Sequence, residues 1–132
     1  MGLFSKSLTR NSTTIGQNAE GLALQFLQSK GMQLIERNYR CKMGEIDLIM
    51  QHDAGLVFAE VRYRKHSKFG SGAETVDQRK QQKILKSAEH FLQSHSKYAA
   101  LPCRIDVVSI SAAQQSGDQQ PDIDWIPNAI QA

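Results

Sequence analysis

GEIDLIMQHDAGLVFAEVRY, residues 44–63, is the stretch that decides the fold. Two runs of alternating apolar residues flank a short His-Asp-Ala-Gly break, the sequence signal of a β-hairpin. With residues 52–55 as the loop, Gln51 faces Leu56, and the same register sets Asp47 directly across from Glu60. Opposed residues lie about 4.5–5.5 Å apart at Cβ, and like charges there destabilise a sheet. Two acids so placed need a cation between them, or a different register. A divalent metal is the economical answer, because hard carboxylate oxygens suit magnesium and manganese.

The alternation also assigns faces. Ile46, Leu48 and Met50 share one face with Val57, Ala59 and Val61, and that face is expected to be core. The other carries Glu45, Asp47 and Ile49, with Leu56, Phe58, Glu60 and Arg62. Glu60 and Arg62 are two apart, so they project side by side. An acid facing an acid, with a cation next along one strand, is a site more than a surface pattern.

Working outward, 132 residues fit one domain with its own core, and 40% hydrophobic with 22% charged residues argue against wholesale disorder. No apolar run approaches the roughly 20 residues of a membrane span. The start, MGLFSKSLTR, lacks a long apolar h-region, and Lys6 breaks the myristoylation pattern, so cytoplasmic residence is expected by default. Cys41 and Cys103 make no disulfide framework and no zinc spacing, and read as reduced, partly buried thiols. His52, His66, His90 and His95 show no metal-ligand spacing.

The net charge of +3 is unevenly spread. Residues 62–86 hold Arg62, Arg64, Lys65, Lys68, Arg79, Lys80, Lys83 and Lys86 against Glu74 and Asp77. A cationic segment adjoining an acidic cluster suggests a polyanion held beside a metal site. A solvated helix face plus a charged loop is the plainer account, but the position directly after Glu60 and Arg62 favours nucleic acid.

Residues 1–12 read as a disordered leader and residues 13–130 as a single domain. Ser12 to Thr14 are N-cap candidates for a helix ending near Lys30, with Gly31 as its stop and Ala19, Leu22, Ala23, Phe26 and Leu27 as its buried stripe. Met32 to Tyr39 reads as a strand, then the hairpin, then a mobile loop over 64–75. A second helix runs from Asp77 to about Ser94, with Ile84, Leu85, Ala88, Phe91 and Leu92 as its apolar face. Arg104 to Ile110 is a further strand, whose central Asp106 suggests pairing with a nearby arginine. Ile123 to Ile126 makes a short edge strand, stopped by Pro127. By position alone Glu20 is a helix-boundary residue, and Lys80 is a lysine lying over the core edge.

Asp47 followed by Glu60-Val61-Arg62 is similar to the acid-then-acid-x-lysine core of PD-(D/E)xK nucleases. More closely, G-E-I-D-L-I, then F-A-E-V-R-Y-R-K, then F-G, resembles the YraN-like family of small, uncharacterised bacterial proteins, which look like archaeal Holliday-junction resolvases in fold. The resemblance covers about residues 15–130. It implies an α/β, restriction-endonuclease-like core: a mixed sheet of about four to five strands flanked by two helices, in the order α-β-β-β-α-β. It further implies a Mg2+- or Mn2+-dependent endonuclease acting on structured or branched DNA, with Asp47, Glu60 and Glu20 as metal-side acids and Arg62 completing the catalytic set. Arg64, Lys65, Lys68, Lys80 and Lys83 would contact nucleic acid, and Lys80 would reach toward the acids or a phosphate. A homodimer is implied too, since resolvases work as dimers.

One departure matters. The nuclease pattern has lysine where this chain has Arg62. Arginine stays protonated and is a poor general base, though it can stabilise developing charge on phosphate. A nucleic-acid-binding module that kept the fold and lost turnover is therefore the alternative. A purely structural protein, with Glu45 and Arg62 as a cross-strand ion pair, is weakened by the opposed acids.

Overall fold

The computed structural model describes residues 18–64, 76–111 and 121–131. The leader, the N-cap candidates Ser12 to Thr14 and the loop residues 65–75 lie outside them. Helix α1 is Ala19–Ser29, opened by Asn18, whose side chain makes no cap hydrogen bond. It buries Ala19, Ala23 and Leu27, with Leu22 and Phe26 packed beside them. Gly31 ends it as expected: at φ +94° its N–H donates to Gln28 O, while Met32 N–H donates to Leu27 O. These two bonds make a Schellman motif, and Met32 and Leu27 share one apolar cluster.

Strands β1 (Gln33–Cys41), β2 (Gly44–His52) and β3 (Gly55–Arg64) follow as an antiparallel meander. Helix α2 (Gln78–Ser94) then crosses over, so that β4 (Cys103–Ser111) returns parallel to β3, and β5 (Asp122–Ile130) closes the edge antiparallel to β4. The sheet order is β1-β2-β3-β4-β5. The mixed sheet, the two helices and the element order match the expectation. No helix among the described residues is long and apolar enough to cross a membrane.

Asp77 caps α2, its carboxylate accepting from Lys80 N–H at 2.8 Å. The helix buries Ile84, Ala88 and Phe91 on one sheet face, against Ile49, Leu56, Phe58, Ile105 and Val107. The other face packs Leu48, Met50, Val57, Ala59, Val108 and Ile110 against α1. The expectation of one core face is therefore corrected: both faces are core. A parallel pair with a crossover helix is covered on both sides, so Leu56 and Phe58 are as buried as Val57 and Ala59.

A second correction concerns Ile46, which belongs to the α2 side rather than with Leu48 and Met50. The alternation breaks at Asp47. Asn38, with φ +53°, turns β1 through the left-handed region, and the pairs Arg37↔Leu48 and Tyr39↔Ile46 bracket Asn38 and Asp47. Arg37 reaches Glu20 of α1, whereas Tyr39 packs on Phe91 of α2. Both strands change sides at one point.

The third correction is at Pro127, which does not stop β5. The register between β4 and β5 shifts between Ile105 and Val107, and Asn128 takes φ +54°. Asp106, wholly buried, accepts Asn128 N–H at 2.8 Å and carries the strand on to Ile130. The same carboxylate accepts two hydrogen bonds from Arg104 and one from Trp125 Nε1, which bears out its structural reading and the arginine partner.

Candidate functional site

The β2–β3 ladder has the anticipated register, from His52↔Gly55 through Gln51↔Leu56 to Leu48↔Ala59. Regular pairing stops there, just short of Asp47 and Glu60. In place of a ladder bond, Asp47 Oδ2 accepts Val61 N–H at 2.8 Å. The break in alternation at Asn38 and Asp47 thus opens the hairpin at its acidic end and turns the Asp47 carboxylate toward β3.

Glu60 is only 5% exposed, and its Oε2 lies 3.2 Å from Lys80 Nζ of α2. Burial pushes the Asp47 carboxyl from 3.8 up to about 7, with the charge of Glu60 adding to the rise and the Val61 N–H opposing it. Glu20 and Glu45 raise it a little further. Glu60 is also raised, first by burial, against the pull of Lys80 and then of Arg62, and it shares a hydrogen bond with Asp47. Near neutral pH the pair therefore tends to retain a proton. Lys80 and Arg62 offset only part of the cost of burial.

The remaining predicted residues fall unevenly around this pair. Glu20, in the first turn of α1, accepts from Arg37 Nη2 and from Asn38 Nδ2, each at 3.1 Å, and its field reaches Asp47. Arg62 stands beside Glu60 closely enough to lower it. Glu45 is ion-paired with Arg40 at 3.2 Å. Arg64 ends β3, its Nη1 buried without a hydrogen-bond partner among the described residues. Lys83 sits about one turn beyond Lys80 on α2. Lys65 and Lys68 lie outside the described residues. Among the described residues, no group of three or more His, Cys, Asp or Glu side chains is arranged to hold a metal ion.

Sequence reasoning passed over Asn38 and Arg40. An asparagine within an alternating strand is the one signal for the first, since its short polar side chain tolerates the left-handed region. Nothing marks Arg40, because its value lies at the end of β1, which is brought against a helix far along the chain.

Fold and site together define a class: an α/β protein with a helix on each face of a five-stranded mixed sheet and a largely buried acid pair where its hairpin opens. The chain belongs to the family described as "Uncharacterised protein family UPF0102", whose profile matches residues 19–110. A UPF0102 protein of Stutzerimonas stutzeri (strain A1501) is 48% identical over 121 residues, covering 92% of this chain and 98% of that protein. Another, from Saccharophagus degradans, is 54% identical over 115 residues, or 87% of this chain and 91% of that one. Among solved structures, that of Pyrococcus furiosus SfsA in complex with Ca2+ matches at a TM-score of 0.29 and 13% identity, over 91% of this chain and 63% of that one. That likeness is too slight to carry an argument.

Proposed function

We propose that this chain is a metal-dependent endonuclease with a restriction-endonuclease-like, resolvase-like core, which hydrolyses phosphodiester bonds in structured or branched DNA. The observation that carries the reading is the pair itself: a buried Glu60 and a half-buried Asp47 held together, both raised, at the open end of a hairpin. A sheet with a purely structural task has reason to avoid that arrangement. Asp47 and Glu60 fit Mg2+ or Mn2+, since magnesium commonly takes one or two carboxylates and keeps several waters. Glu20, already engaged by Arg37 and Asn38, would act on the ion through its field or through water.

Such an ion, when bound, polarises phosphate and lowers the pKa of a bound water. The chain's own residues supply the rest. Asp47 stays fixed by Val61 N–H. Arg62 and Lys80 bring two positive charges to Glu60, where they would stabilise negative charge developing on phosphate. Lys80 is a compact ammonium of the kind that position 62 lacks. Contacts from these cations to the DNA backbone carry no base information, so selection would be by shape.

A binding module without turnover is the second reading, favoured by Arg62. A cleavage assay on four-way junction, flapped and linear duplex DNA, with Mg2+, Mn2+ or chelator, separates the two. The nuclease reading expects metal-dependent cutting of branched DNA that Asp47→Asn and Glu60→Gln both remove. Tight binding with no cutting in any metal would refute it in favour of the module.

A further inference from the structure

Beside the acid pair, a cleft of about 450 Å³ opens between the β1–β2 turn and the first two turns of α2. Arg40, Lys80 and Lys83 line it with one acid, Glu45, and with Cys41 and Gly44. Arg40 is paired with Glu45 at 3.2 Å and Lys80 with Glu60, so Lys83 leaves the cleft with a net positive charge. The turn is held firmly against the helix. Gly44 has φ +147°, and a Cβ there would meet Ser87 Oγ at 3.3 Å and Lys83 Cβ at 3.4 Å. Lys80 belongs to both places, lining the cleft while its Nζ lies 3.2 Å from Glu60.

We propose that this cleft seats the phosphate of the nucleotide flanking the one held at the acid pair. Arg40 and Lys83 are its own cations, and Lys80 links it to Glu60. A preformed, positively charged recess is suited to an anion, and its volume admits a nucleotide rather than a bare phosphate alone. Its place in a strand running past the acids rests on the nuclease reading; the anion seat itself does not.

Cys41 provides a direct readout. In the full chain carrying Cys103→Ser, Cys41 is the remaining thiol. Its alkylation by iodoacetamide is followed in chelator, with inorganic phosphate, a 5′-deoxymononucleotide or a short single-stranded oligonucleotide added. The mononucleotide and the oligonucleotide should slow alkylation. The concentration giving half protection should rise about tenfold in Lys83→Gln and in Arg40→Gln, the usual size of a lost charge-assisted contact. Lys83→Arg should restore it. Half protection is a ratio within each variant, so a changed intrinsic thiol reactivity does not distort it.

No protection by any of the three anions, or equal protection in both glutamine variants, overturns the seat. Inorganic phosphate protecting as well as the oligonucleotide overturns the nucleotide assignment in favour of free phosphate. Cleavage of branched DNA with Mn2+, run on the same proteins, keeps the two readings apart. Protection without cleavage sustains the seat and sinks the nuclease, whereas full cleavage in Lys83→Gln together with absent protection does the reverse.

Discussion

Asp47→Asn should make the metal-free protein more stable above neutral pH and leave it unchanged near pH 4. The Asp47 carboxyl titrates at 3.8 in its unperturbed state and at about 7 in the fold. Between those values the folded chain binds more protons than the unfolded one, so stability falls as pH rises through that window. A rise of roughly three units corresponds to at most about 4 kcal/mol, at 1.36 kcal/mol per unit. The proton is shared with Glu60 and the site is partly open to water, so about 2 kcal/mol is the expected gain, or on the order of 5–10 °C in Tm. Asparagine keeps an oxygen that can accept Val61 N–H, so the substitution removes charge and spares the hydrogen bond. Thermal melts at pH 4, 6 and 8, followed by circular dichroism, give the comparison. Adding millimolar Mn2+ at pH 8 should raise the wild-type Tm, because a ligand bound only by the folded state stabilises it, and should leave Asp47→Asn nearly unmoved. Parallel pH slopes for the two proteins, or a variant less stable at every pH, would refute the claim that the buried charge of Asp47, crowded by Glu60, costs the fold stability above neutral pH.

Arg62→Lys should raise Mn2+-dependent cleavage of branched DNA while leaving binding largely unchanged if a strand lysine is needed; if Lys80 already serves, that change does little and Lys80→Ala lowers the rate. DNA binding, measured by fluorescence anisotropy, should weaken steeply with salt through counterion release, and Arg62→Ala should flatten the slope by about one unit. Asp106→Ala strands Arg104, Trp125 Nε1–H and Asn128 N–H together, and should destabilise the chain by about 3–5 kcal/mol, with Trp125, the single tryptophan, reporting the loosened edge strand in its fluorescence. Phe91→Ala removes a wholly buried ring set between Tyr39, Phe58 and His95, and should lower stability by about 3–5 kcal/mol in urea unfolding.

The elements whose signal is local were the ones that could be read in advance. Period-two alternation around His52 to Gly55 gave the hairpin register, and Asp77 with Ile84, Ala88 and Phe91 gave α2. Features that depend on distant partners were not legible. The continuous run Leu56-Val57-Phe58-Ala59 signals burial on both faces, yet that meaning appears only once α2 and β4 cover the second one. Pro127 ends a strand by local rules, but a buried carboxylate in another strand supplies what the local chain lacks. Within the site, alternation set Asp47 across from Glu60, but the ladder ends at Leu48↔Ala59 and the two acids meet where the strands part. The reach of Lys80 to Glu60, 20 positions away, came only through family resemblance, and Arg40 through neither.

The surroundings of the acid pair come from opposite layers, Glu20 from α1 and Lys80 from α2, and this has a consequence for synthesis. Synthesis delivers the N-terminal portion of the chain first. A nascent chain that ends before residue 76 already carries Asp47, Glu60, Glu20 and Glu45, but none of the ammonium groups of α2. Above neutral pH, its hairpin should close from the His52 end as far as Leu48, with Asp47 and Glu60 held apart until the second helix docks. The acids are thus unfinished business for the first half of the protein, and the second half brings the charge that lets them be buried.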